Sequence, residues 1–566
     1  MQNIRKLVMQ LYGDQKSDAI ITDIQNLLDQ YRRKPDRVSV ISEKDVALIC
    51  YGDSFLSPDR KPLQTLKTFL DRYLRNHISL LHLLPFFPYS SDDGFAVIDY
   101  KEVNPEFGNW EDIDNLGKSY GLIIDAVVNH ISAKSPWFRE YLKGNPDFAD
   151  YFIETGTDTD LSTVIRARAH PLLTKFYRGN REVYLWTTFS ADQIDLNFKN
   201  PEVLIRILDV LLFYASKSAR IIRLDAIGHA WKTPGTTCLN LPETHRLVQL
   251  FRAVLNQVFP NVLLLTETNV PHRENIEYFG DGANEAQLVY QFSLPGLVIH
   301  SFLTGSGAKL TKWAKTLALK SDTCTFFNLL ASHDGIGIRP LLDILDNSEI
   351  ENLVQTTLDR GGFVSWKKSA DGCKDPYELN ITLFDILANP GESEKMNIHK
   401  FITAHAILLA MQGIPALYYH SLFAGSGDHK GVKSTGQNRS INRKKLDFSS
   451  LNRELSDSHS RASRVLSLLK QLIDIRKNHP AFNPFSPQKI HSLSEQLFCI
   501  ERVSKFSAER LLCIHNLSSK PVEFIIPLEI TGNCRNNAID LISDRRWDLK
   551  LPVTLAPYGF TWLNIS

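Results

Sequence analysis

Eight short, uninterrupted apolar runs alternate with helix-like stretches along this chain. That alternation restricts the fold more than any other feature. The runs are Val46–Tyr51, Ser79–Pro85, Gly121–Asn129, Arg220–Ala226, Val262–Glu267, Ala286–Phe292, Cys324–Ser332 and Ala416–His420. They do not alternate polar and apolar residues, so they predict strands buried on both faces, as in a parallel sheet covered by helices. Between them lie helical patterns such as LQTLKTFLDRYLRNH from Leu63, EDIDNLGKSY, Val203–Ser216 and THRLVQLFRAVLNQV. Eight such units close most naturally into a (β/α)₈ TIM barrel. A doubly wound sheet is the alternative, but no GxGxxG or GxxxxGK[ST] follows the first run.

The 566 residues exceed what one core holds, so further parts are expected. Residues 1–45 predict a helical extension, ending near Lys34-Pro35, with Ile4, Leu7, Val8 and Leu11 on one face and Ile20, Ile24, Leu27 and Leu28 on another. The barrel spans 46–480. Two connections in it, at about 131–198 and 340–396, are too long to be plain loops and predict subdomains above the strands' C-terminal ends. Residues 481–566 (LFCIERV, ERLLCIHNL, PVEFIIPL, YGFTWLNIS) predict a separate antiparallel β domain.

Lys+Arg total 64 and Asp+Glu 63, a balance that gives no electrostatic case for nucleic acid or a membrane surface. No run is long enough to span a bilayer and the N-terminus does not read as a signal peptide. Seven scattered cysteines without a CxxC predict reduced thiols in the cytoplasm and no zinc site. Seventeen histidines include no HExxH, and no metal is expected.

The chemistry predicts itself at strand ends. Asp125 to His130 close the third run, Arg223 and Asp225 the fourth, Glu267 the fifth, and His333-Asp334 the seventh. In a barrel these converge on one mouth. Arg223 lies two residues before Asp225, on the same strand face, and is expected to keep that carboxylate ionised. An ionised carboxylate beside a protonated one suits a retaining glycosidase. His229 and Trp231, which follow the fourth run, read as packing residues.

Four segments, DAVVNH, IIRLDAIGHA, LLLTETN and LLASHDGIG, resemble the four short motifs of the α-amylase clan of glycoside-active enzymes, in order and in spacing. The resemblance implies Asp225 as nucleophile, Glu267 as general acid/base and Asp334 as a transition-state-stabilising carboxylate. It also implies that Arg223, His130 and His333 line the glucose subsite. LLPFFPYSSDDGFAVIDY and SHDGIG are similar to the sucrose phosphorylase subfamily, which implies that Asp92 holds the glucose, Phe95 stacks on it, and Arg439 of GQNRSINR pairs with Asp92 at the closed end. PETHRLVQLFRAVL, TETNVPHRENIEYFGDG and LVYQFSLPGLVIHSFLTG are most similar to its glucosylglycerate phosphorylase branch.

The implied activity is a double-displacement α-glucoside phosphorylase. It would use inorganic phosphate as co-substrate, need no cofactor, and release α-glucose 1-phosphate from 2-O-α-glucosylglycerate. Sucrose phosphorolysis, α-glucosidase or transglucosidase action, and a non-catalytic binding role are the alternatives. Acceptor-side candidates are Arg166 and Arg168 in TVIRARAHP and Tyr377-Glu378 in DPYELN. Sucrose phosphorylases carry Gln where Glu378 stands, which argues against fructose as acceptor. The expected partners are a small α-glucoside and phosphate, with the chain a monomer or homodimer.

Overall fold

A computed structural model describes residues 1–32, 40–166, 168–368, 374–531 and 537–566. The eight runs form β1 (Ala47–Cys50), β2 (Leu80–Leu83), β3 (Gly121–Val127), β4 (Ala219–Asp225), β5 (Leu263–Thr266), β6 (Leu288–Tyr290), β7 (Thr325–Leu329) and β8 (Ile414–Tyr418). They close into a barrel in which each strand pairs in parallel with its neighbours in sequence and β8 returns to β1. Nearly every strand residue is buried. The barrel interior takes one face and the surrounding helices the other, which is why the runs are continuous rather than alternating.

The eighth strand begins two residues earlier than expected, at Ile414, and takes in Pro415 opposite Asn328. A proline cannot donate to the ladder and so is unexpected in a central strand. The strand then stops at Tyr418, where Tyr419–Phe423 tighten into a 3₁₀ turn. The third and seventh strands end two and three residues before their runs do, leaving Asn129 and Ser332 in the loops that build the mouth.

The N-terminal residues form α1 (Gln2–Tyr12) and α2 (Asp14–Gln30), separated by Gly13 at φ 77°. The predicted end at Lys34-Pro35 lies outside the described residues. Ile4, Leu7, Val8, Ile20, Ile24 and Leu28 are buried as their spacing requires. The pair packs on the barrel helices Pro201–Ser216 and Pro242–Val258. Tyr12 donates to the Phe198 carbonyl at 2.7 Å and Tyr31 to Asp209 at 2.7 Å.

After β3 the chain makes the helix Pro136–Lys143 and the hairpin Leu173–Arg178/Arg181–Trp186. After β7 it makes the helix Asn347–Asp359 and the hairpin Phe363–Lys368/Lys374–Asn380, whose second strand pairs with Ile336–Gly337. At the C-terminus a six-stranded antiparallel sheet buries both faces. Phe498, Ile500, Leu511, Cys513 and Trp562 join the barrel's core, while Leu497, Cys499, Leu512, Ile514 and Leu563 form a second one. Cys50, Cys238, Cys324, Cys499 and Cys513 are buried free thiols; Cys373 and Cys534 lie outside the described residues.

Candidate active site

Strand register brings the first charged groups together. Asp125 of β3 pairs in register with Arg223 of β4, and Val127 with Asp225. The Arg223 guanidinium therefore lies between two carboxylates, forming an ion pair with Asp125 and donating to Asp225 Oδ1 at 2.8 Å. It stands 4.0 Å from Glu267 Oε2. Asp125 is held from behind by His82 Nε2 at 2.8 Å. The rings of Phe95 and Tyr290 stand 5.8 and 5.7 Å from the guanidinium carbon. Buried, paired and flanked by rings, Arg223 stays charged and in place.

Asp225 ends β4 and the next residue, Ala226, takes a left-handed φ of 48°. That turn aims the Ala226 N–H at Glu267 Oε2, 2.8 Å away, and so fixes the second carboxylate to the backbone beside the first. A non-glycine residue at positive φ costs of order 1–3 kcal/mol and is commonest at functional sites.

Burial pushes the Asp225 carboxyl up, and Arg223 only partly opposes it because its charge is shared with Asp125. Repulsion from Glu267 adds to the rise. Glu267 is pushed up too, by burial first and then by Asp334, against Arg223. Arg223, shared with Asp125, opposes the rise at Asp225 without cancelling it. Raised together, the two carboxyls favour one charge and one proton over two charges. With Arg223 at 2.8 Å from Asp225 and 4.0 Å from Glu267, geometry favours the charge on Asp225 and the proton on Glu267. Asp334 behaves oppositely. Burial would raise it, but Arg439, His333 and Arg443 hold its carboxyl well below the usual range.

Asp92 and Asp93, at φ 53° and 47°, form a left-handed turn after β2. Gly94 completes it at φ 111°, where a Cβ would lie 2.4 Å from the Pro85 carbonyl oxygen. The residue expected to pair with Asp92 was Arg439. The structure instead gives Asp92 to Arg443, four residues on, at 3.1 Å, and the same nitrogen reaches Asp93 at 2.9 Å. Arg439 forms ion pairs with Asp334 and with Glu378, the latter at 2.6 Å. GQNRSINR places Arg439 on the 3₁₀ turn Asn438–Asn442 and Arg443 directly after it. Only tertiary packing decides which one reaches the deeper carboxylate, and the more buried Arg443 does so.

Phe95 stacks on His333, with ring centroids 4.8 Å apart and planes 9° from parallel. His130 Nε2 meets the Phe95 carbonyl at 2.9 Å and the Gln193 side chain at 3.1 Å. Burial lowers His130 to about 4 and His333 to about 3, so both are neutral hydrogen-bonding groups at pH 7.

These residues surround one cavity of about 150 Å³. Asp92, Phe95, His130, Asp225, Glu267, His333, Asp334, Arg439, Arg166, Arg168, Tyr377 and Glu378 all line it, with Arg223 behind Asp225. Arg168 stands 3.4 Å from Asp92 and 5.5 Å from the centroid of the Phe189 ring. Arg166 donates to the His170 carbonyl. Sequence reasoning missed Arg443, Gln193, Phe189, Asn269, Arg339 and Lys367. Phe189, Asn269 and Arg443 sit on irregular loops where no periodicity marks a facing direction. His229, read as packing, lies in the cavity wall against Phe189. At Asn129, the side-chain oxygen accepts from the buried ammonium of Lys232 at 2.7 Å, and Asp195 balances that charge at 2.7 Å.

Residues 51–336 match the family model for the α-amylase catalytic domain. The chain belongs to the α-amylase family. Its membership accords with the four short motifs and with the barrel that presents them. Within the family it is 46% identical to a glucosylglycerate phosphorylase of Allomeiothermus silvanus, over 90% of this chain and 91% of that one. It is 42% identical to the Escherichia coli glucosylglycerate phosphorylase over the full length of both. Among solved structures of the family, sucrose 6F-phosphate phosphorylase from Thermoanaerobacter thermosaccharolyticum superposes with a TM-score of 0.74. That structure is 26% identical and covers 85% of this chain and 95% of its own.

Proposed function

We propose that this chain is a retaining α-glucoside phosphorylase and that its preferred donor is 2-O-α-glucosylglycerate. The carrying observation is the pairing of Asp225, held by Arg223, with Glu267, held by the Ala226 N–H, in one small cavity that the Asp92–Arg443 pair closes at one end. Asp225 attacks the anomeric carbon while Glu267 gives its proton to the departing alcohol oxygen. The C–O bond to the acceptor breaks and a β-glucosyl ester of Asp225 forms. Phosphate then attacks from the face the acceptor left, freeing Asp225 and giving α-glucose 1-phosphate. Asp334, ionised and fixed by Arg439, stabilises the positive charge that develops on the sugar ring.

High identity to two named glucosylglycerate phosphorylases supports the donor choice. The reading needs no cofactor, since nucleophile, acid and stabilising charge are all side chains. Buried free thiols, with no helix of the described residues long and apolar enough to cross a membrane, support a cytoplasmic site of action.

A donor screen with phosphate tests the reading. Glucosylglycerate should release glucose 1-phosphate faster than sucrose or glucosylglycerol does. Release of free glucose at the same rate with and without phosphate would overturn it.

A further inference from the structure

Five carboxylates face the cavity: Asp92, Asp225, Glu267, Asp334 and Glu378. An acidic acceptor and phosphate both need positive charge there that these groups have not already neutralised. Arg168 is engaged with Asp92, and Arg439 lies between Asp334 and Glu378. Arg166, Arg339 and Lys367 remain on the lining. Arg339 is the one that the chain positions beside the acid.

Its place follows from a close approach. Ile336–Gly337 pairs with the hairpin strand Lys374–Asn380, and Arg339 opens the 3₁₀ turn that comes next. A Cβ on Gly337 would lie 2.5 Å from Asn269 Oδ1, so this segment runs close against that side chain. Asn269 is two residues beyond Glu267 and lines the same cavity. The segment carrying Arg339 is thereby packed against the loop carrying Glu267, on the side where the leaving alcohol is protonated.

Arg339 is also incompletely satisfied. Its nearest carboxylate oxygen, Glu274 Oε2, is 3.7 Å away, beyond hydrogen-bonding distance. Glu274 is anchored elsewhere, accepting from Asn240 Nδ2 at 3.1 Å, and Asn240 in turn accepts from Tyr278. A small carboxylate entering the cavity offers Arg339 the bidentate geometry that Glu274 does not.

We propose that Arg339 binds the acceptor's carboxylate and so sets the preference for an acidic over a neutral small alcohol. The proposal rests on the phosphorylase reading above. Glucoside synthesis from glucose 1-phosphate tests it, with D-glycerate and glycerol as rival acceptors. The readout is the ratio of kcat/KM for the two, which does not depend on how much of a variant folds. In Arg339→Gln the ratio should fall by about thirty-fold or more, the loss expected for one partner of a buried charge contact. Glu274→Gln, which removes the competing carboxylate and keeps Arg339, should lower KM for glycerate. An Arg339→Gln ratio within about threefold of wild type would overturn the proposal while leaving the phosphorylase reading intact. Wild-type protein that makes no glucoside with either acceptor would overturn both.

Discussion

Arg443 and Asp92 are 351 positions apart in the chain and meet at 3.1 Å beside the cavity, which Asp92 lines. The same guanidinium donates from Nε to the His333 carbonyl at 3.0 Å and stands 3.6 Å from Asp334. One side chain thus ties the loops after β2, β7 and β8 together. Asp93, in its left-handed conformation, is part of the same cluster.

Replacing Arg443 with Ala should therefore do two things. Breaking one side of a buried pair costs about 3–5 kcal/mol, so the melting temperature should drop. KM for the glucosyl donor should rise as well, because the Asp92 turn loses its anchor. Arg443→Lys should rescue little of either, since an ammonium cannot serve all these acceptors. A lysine variant with wild-type melting and donor KM would remove Arg443 from this role.

The covalent route makes a second test. Asp225→Asn should fold normally and lose turnover by roughly 10⁴-fold or more, because an amide cannot form the glucosyl ester. In Glu267→Gln, an activated glucosyl donor should leave an adduct on Asp225 that mass spectrometry detects. An adduct on Asp334 would reverse the assignment of roles.

Stability should respond oppositely at two of the three carboxylates. Glu267 is raised in the folded state, so the fold bears no cost from it below its unfolded value of about 4.3. As pH rises past that point the unfolded chain releases the proton first and stability falls. At pH 7, Glu267→Gln should therefore melt higher than wild type, and the gain should fade towards pH 4. Asp334 is lowered, and its contribution is present above about 3.9 and lost as pH falls through its lower folded value. Asp334→Asn, which also weakens the pair with Arg439, should melt lower at pH 7. Matching shifts in the two variants would contradict this electrostatic account.

Most of the barrel was legible because continuous apolar runs have one common cause, burial on both faces. Asp225, Glu267 and Asp334 were legible because polar groups at the ends of such runs stand out. The pairing of Asp92 was not. Arg439 lies on a short 3₁₀ turn and Arg443 directly after it, and no local pattern distinguishes the residue that points deeper. Arg339 and Lys367 were missed for a related reason. Lys367 lies on a hairpin strand and Arg339 on a 3₁₀ turn of the same inserted connection, and whether a cation there faces solvent or the cavity depends on contacts such as Gly337 against Asn269. The charge balance at Asp225 also depends on Asp125, which stands out at a strand end in the sequence but is placed opposite Arg223 only by strand register.

The closed end of the cavity sets what length of sugar enters. Asp92 and Arg168 line the cavity as an ion pair backed by Arg443, and Phe95 stacked on His333 adds to its wall. Burial alone would raise Asp92, but Arg168, Arg443 and Arg439 hold it well below the usual carboxylate range, so the cluster stays charged at any working pH. A glucan running through the site in both directions would have to displace it. Separating one buried, hydrogen-bonded pair costs about 3–5 kcal/mol, more than the one or two hydrogen bonds of an added sugar return. With phosphate, maltopentaose should then be inert or yield only glucose 1-phosphate and maltotetraose, the products of removing one terminal unit. Chromatography of the products decides the point. Maltose and maltotriose appearing together from the start of the reaction would mean cleavage inside the chain and an end that is open.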